Sequence, residues 1–125
     1  MKLCSACLLG IKCRYDGKAK PDKGIAMLSK NERLIPVCPE RLGGLPTPRE
    51  ISVRRGKKVI SQSGEDVTAN FEKGARKALE IAKKLGIKEA ILKERSASCG
   101  SDGVTTELLR KNGIKVISEE EIHAE

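Results

Sequence analysis

The sequence predicts a small three-layer α/β fold with a mainly parallel sheet, crossover helices and a β-hairpin insertion. Three observations carry this. The pattern helix–Gly–strand occurs twice in series, as KKLGIKEAI and as RKNGIKVI. Two such copies imply parallel strands joined by crossover helices. EISVRRGKKVIS, residues 50–61, sets ISV and KVI on either side of a glycine, which is the grammar of a hairpin. No linker composition divides the 125 residues, so one domain over residues 1–125 is expected.

Taken in order, KLCSACL (2–8) reads as a first strand, and Pro21 opens a helix near Asp22–Lys30. RLIPVC (33–38) reads as a second strand, and RLGGLPTPR (41–49) as a loop rich in Gly and Pro. The hairpin turns near Arg55–Gly56. Residues 67–86 form the clearest helix, because Val67, Phe71, Ala75, Ala78, Ala82 and Leu85 recur at steps of three and four. Asp66 or Thr68 can cap its start. Lys83 and Lys84 sit in its last turn, and Gly86 supplies the left-handed residue that ends it. IKEAIL (87–92) follows as a buried strand. A helix from Val104 ends at Gly113, the strand IKVI follows, and Ser118 with Glu121 forms a capping box for a brief last helix.

Composition narrows the function. Aromatic residues are 2% of the chain, with one Phe, one Tyr and no Trp. Recognition of single-stranded nucleic acid by stacking needs aromatic platforms that this chain barely has. The net charge of +8 suits an anionic substrate or cofactor, but the basic residues are scattered and RRGKK (54–58) is the only dense cluster. There is no transmembrane run, hence no expected membrane partner. The apolar stretch after Lys2 is interrupted by Cys4 and Ser5 and stops at Gly10, short of the ~7–15 apolar residues of a signal core. A cytoplasmic location is expected. Five cysteines, an odd number, in a reducing compartment read as ligands, nucleophiles or packing groups rather than disulfides.

The positions of those cysteines point to a site. Cys7 falls at the carboxyl end of the first predicted strand, and Cys38 ends the second. Cys99 lies in KERSASCGSDG (93–103), between a strand and a helix. In open parallel sheets, ligands bind at the carboxyl ends of the strands, so three thiols distant in sequence are expected to converge there. Such a soft donor set suits an iron–sulfur group or zinc better than magnesium or calcium. Zinc would want a fourth ligand, which Cys4 or Cys13 could supply. Cys38 and Cys99 stand alone, unlike the paired cysteines of a zinc ribbon. The single histidine, His123, lies two residues from the end, which argues against histidine ligands or a histidine base. Glu40 follows Cys38 by two, and Ser96 and Ser98 precede Cys99. These are proton-handling partners beside a metal centre. For Glu40, a salt bridge to Arg41 or Arg49 is the plainer alternative.

Four ordered stretches, SACLLGIKCRYDG (5–17), PVCPERLGGLPTPR (36–49), GEDVT (64–68) and ILKERSASCG (91–100), resemble the motifs of the thiouracil desulfidase family, across nearly the whole chain. The resemblance implies a [4Fe-4S] cluster held by Cys7, Cys38 and Cys99 with one iron left free. It implies Glu40 as the proton-transfer group, Ser96 as its partner and Ser98 in reserve. The implied activity is non-redox removal of sulfur from a thiolated pyrimidine or similar small thioamide-like molecule, with release of hydrosulfide. Cys13 is placed beside the ligands and Cys4 in the core. Two departures stand out. Ala97 replaces a proline of the family, and only Ser101 and Asp102 separate Gly100 from Gly103, where family members often carry an insertion.

Three other functions fit parts of the pattern. One is an iron–sulfur sulfur-transfer protein acting in RNA thiolation. The second is a zinc or Fe–S binding module. The third is a redox dithiol at Cys4 and Cys7, which a strand location disfavours because such thiols are activated at helix starts. A small thiolated nucleobase is the expected partner, nucleic acid a less favoured one, and a monomer or homodimer the expected state.

Overall fold

The computed structural model describes residues 1–122. Six strands and five α-helices follow one another: β1 (Lys2–Ser5), α1 (Lys23–Leu28), β2 (Leu34–Val37), α2 (Pro39–Leu42), β3 (Ser52–Arg55), β4 (Lys58–Ser61), α3 (Thr68–Leu85), β5 (Glu89–Leu92), α4 (Val104–Lys111), β6 (Lys115–Ser118) and α5 (Glu119–Ile122). β2, β1, β5 and β6 form one sheet in that order, every pair parallel, and β3 and β4 form a separate antiparallel hairpin. The predicted fold class is what the chain adopts.

Strand alternation puts a hydrophobic layer on each face of the sheet. Leu3, Val37, Ala90, Leu92 and Val116 pack with Ala82, Leu109 and Cys99 on the face covered by α3 and α4. Cys4, Ile91, Cys7, Cys13 and Ile25, with Ile117 and Ile122 beside them, form the opposite core, towards α1 and α5. In α3 the apolar stripe buries Phe71, Ala75, Ala78 and Ala82. Leu85, expected in the stripe, is 46% exposed, because it sits in the last turn before the left-handed Gly86 turns the chain away. The expected side-chain cap is also absent. Val67 is the cap residue, and Asp66 accepts instead from the amide and hydroxyl of Thr68.

Two further corrections concern the strand ends that carry cysteines. β1 stops at Ser5 rather than residue 8, and Ala6–Leu9 form a 3₁₀ turn closed by Gly10 at φ 94°. The last registered pair is Ser5 with Val37. Beyond it the neighbouring strand turns away and residue 6 has no ladder partner. The turn away is α2, a one-turn helix capped by Cys38 and begun by Pro39. It lies where the sequence reads only as the end of a strand and the start of a loop. α2 is seated on α3 by glycines. A Cβ on Gly74 would lie 1.8 Å from the Pro39 carbonyl oxygen, and one on Gly43 would lie 2.0 Å from that of Asn70. Only glycine lets the two backbones approach this closely.

Candidate active site and metal centre

The order of the strands locates the site. From β1 the chain passes to β2 on one side, then crosses to β5 on the other. Strand order therefore reverses between β1 and β5, and a crevice opens at their carboxyl ends. Cys7 follows β1, Cys38 follows β2, and Cys99 sits in the loop after β5. All three line one cavity of about 290 Å³, together with Cys13, Ser5, Glu40, Ser96 and Ser98. Cys4 does not line it. That residue is wholly buried, and burial pushes its thiol up to about 12.

The thiols interact. Cys13 is hydrogen-bonded to both Cys7 and Cys38. That bond holds Cys7 below the ordinary thiol range and pushes Cys38 well above it. The Cys38 sulfur also lies 3.7 Å from the Cys13 carbonyl, to which it donates. Burial raises Cys99 to about 12, opposed by hydrogen bonds from the Ser5 and Ser98 hydroxyls.

Glu40 stands at the rim on α2. Its Oε1 accepts from Arg49 Nε at 3.1 Å and its Oε2 from Ser98 Oγ at 3.2 Å. The ion pair offered as the plainer alternative for Glu40 is therefore present, but inside the cavity and joined to Ser98. It is Ser98, 1% exposed, that touches the carboxylate. Ser96 lies one step behind, 3.1 Å from the Ser98 hydroxyl, and its own oxygen accepts from the amides of Ser98 and Cys99. Lys93 also lines the cavity and pairs with the buried Glu119 at 3.2 Å. The sequence did not signal Ser5, whose oxygen accepts from the Lys93 amide at 2.8 Å, 88 positions away along the chain. His123 lies outside the described residues.

Among the described residues, no three His, Cys, Asp or Glu side chains are arranged to share a single metal ion. The thiols instead border a cavity, which suits a group with a body of its own and thiolate attachment at separate corners, as a four-iron cluster has. A closed tetrahedral zinc site asks for the opposite arrangement. The residues fit the cluster.

The fold and the site together define an α/β protein that gathers thiols at a topological switch point, with a carboxylate and a serine at the rim. The family model for 2-thiouracil desulfurase matches residues 3–121, and the chain belongs to that family. It is 38% identical to an uncharacterized protein, YbbK, of Bacillus subtilis strain 168, covering 98% of each chain. That alignment runs over 148 positions, more than the 125 residues here, so part of it has no counterpart in this chain. Among solved structures, it superposes on the [4Fe-4S]-dependent thiouracil desulfidase TudS with a TM-score of 0.90 and 43% identity, covering 96% of this chain and 91% of that one. No helix among the described residues is long and apolar enough to cross a membrane.

Proposed function

We propose that this chain is a [4Fe-4S]-dependent desulfidase that replaces the sulfur of thiouracil, or of a similar small thiolated pyrimidine, with oxygen. The balanced reaction is C=S plus water giving C=O plus hydrogen sulfide, with no net change of oxidation state. The observation that carries this is the convergence of Cys7, Cys38 and Cys99 from three strand ends on one cavity with Glu40 at its rim.

Cys7, Cys38 and Cys99 would hold the cluster. When bound, it would supply a Lewis acid able to polarise the C–S bond of a thiocarbonyl. The protein does the rest. Glu40 accepts a proton from the attacking water and returns it to the departing sulfur. Ser98, hydrogen-bonded to Glu40 Oε2, holds the water or substrate at that oxygen, and Ser96 supports Ser98. Lys93, whose charge also favours the Cys7 thiolate, offsets negative charge at the cluster. Cys13 supports the ligand sulfur of Cys7 by donating a hydrogen bond to it.

All five cysteines are free, as a reducing cytoplasm would keep them. A cavity of about 290 Å³, near the low end of the ~300–1,000 Å³ of small-molecule sites, favours a free small molecule over a nucleic acid as substrate. The test is anaerobic reconstitution, an iron and sulfide assay, and then hydrosulfide measurement with a panel of free thiolated bases and nucleosides. About four irons per chain and release without RNA are expected. Release that requires tRNA would favour the sulfur-transfer function instead.

A further inference from the structure

Arg49 is a buried cation that the proposed chemistry leaves without a task. Its side chain is 6% exposed. The guanidinium is fixed by three acceptors: Nε gives to Glu40 Oε1 at 3.1 Å, and Nη1 gives to the Pro46 carbonyl at 3.1 Å and to Thr47 Oγ1 at 3.2 Å. Its backbone amide gives to the Tyr15 carbonyl at 2.7 Å. The planar group is therefore held by Glu40 and by the loop before it, on a backbone tied to the turn carrying Tyr15, and is not swinging from a surface.

A glutamate carboxylate turns easily about its last torsion, which is broad and roughly two-fold. An unheld Glu40 would spread its oxygens over many directions. Here one oxygen is anchored on a fixed cation, and the other meets Ser98 over the cavity. We propose that Arg49 is the positioning residue of the desulfuration: by holding Glu40 through Oε1, it makes Oε2, at the Ser98 end, the oxygen that handles the proton. Arg49 acts through Glu40 and touches no substrate. This rests on the role given to Glu40 above. It predicts that Arg49 matters only while Glu40 is present.

A double-mutant cycle on the reconstituted protein tests that dependence. The variants are Arg49→Met, Arg49→Lys, Glu40→Gln and Arg49→Met with Glu40→Gln. Iron per chain, absorbance near 400 nm, kcat and KM are measured for each. Glu40→Gln is expected to lower kcat by about 10²–10⁴-fold. Arg49→Met is expected to lower kcat by about 10²-fold, the cost of a carboxylate out of place by roughly an ångström. KM and iron content should stay near those of the parent. Arg49→Lys keeps the charge without the planar fork and should fall between. In the double variant kcat should equal that of Glu40→Gln alone, since nothing remains to be aimed. Losses that multiply would overturn the proposal, as would an Arg49→Met that turns over normally or one that loses only iron. An unchanged Glu40→Gln would fail the underlying role of Glu40, a different result from multiplying losses. Should Arg49→Met not fold, Arg49→Lys carries the same cycle.

Discussion

Two ion-pair groups sit at opposite ends of the same parallel sheet. At the amino end, Lys2 meets Glu89 and Glu32, with Glu89 half exposed. At the carboxyl end, Arg49 meets Glu40 and Lys93 meets Glu119, and all four side chains are at least four-fifths buried. Screening by water and salt leaves exposed pairs with little net effect. Burying an ion pair costs desolvation that hydrophobic packing would not. Burying paired charge this deeply at the carboxyl end, beside four thiols, marks that end as the one shaped for chemistry.

The contrast yields an ordered set of tests. Cys38→Ala or Cys99→Ala should abolish cluster binding, read as loss of iron and of absorbance near 400 nm, with hydrosulfide release gone. Glu40→Gln comes next, with iron and colour retained and turnover reduced by about 10²–10⁴-fold. An intermediate effect is expected at Gly74→Ala. On an open helix that change is favourable by about 1 kcal/mol. Here its Cβ would meet the Pro39 carbonyl at 1.8 Å. α2 must shift, and overpacking of this kind costs about 1–3 kcal/mol. Thermal unfolding should show the loss, and turnover should fall because Glu40 rides on α2.

The smallest effect belongs to Lys2→Ala. It should leave iron content and turnover unchanged and move the melting temperature less than Gly74→Ala does. Glu89 is held below the ordinary glutamate range, first by the Lys2 hydrogen bond and then by its charge. Its folded value is depressed, so the pair contributes fully above the ordinary carboxylate range. The contribution fades as pH falls through the lower, folded value. A pH titration of stability in Lys2→Ala against the parent should lose that acid-side component. A large loss of turnover in this variant would break the contrast between the two ends.

What the sequence revealed divides along the same line. α3, β5, α4 and β6 were legible because their signals are local: a stripe at helical spacing, a glycine stop, a short apolar strand. Cys7, Cys38 and Cys99 were legible as neighbours because parallel strands put their carboxyl ends together. The exact contacts were not. Ser98 rather than Ser96 touches Glu40 because the loop folds Ser96 back onto the amides of Ser98 and Cys99. Arg49 gains its place from acceptors at Tyr15, Glu40, Pro46 and Thr47, and no local pattern encodes that set. Nothing in the local sequence marks Gly74, because its need arises from α2, which packs on it.

The sulfurs at the site are rooted in different layers. Cys99 belongs to the core on the α3 and α4 face, whereas Cys7 belongs to the core on the other face, with Cys38 packed against it. A group bound to all three would rivet the two sides of the sheet together at their shared edge. Removing it should loosen both at once, so that the rigidity of this small enzyme travels with its inorganic cargo.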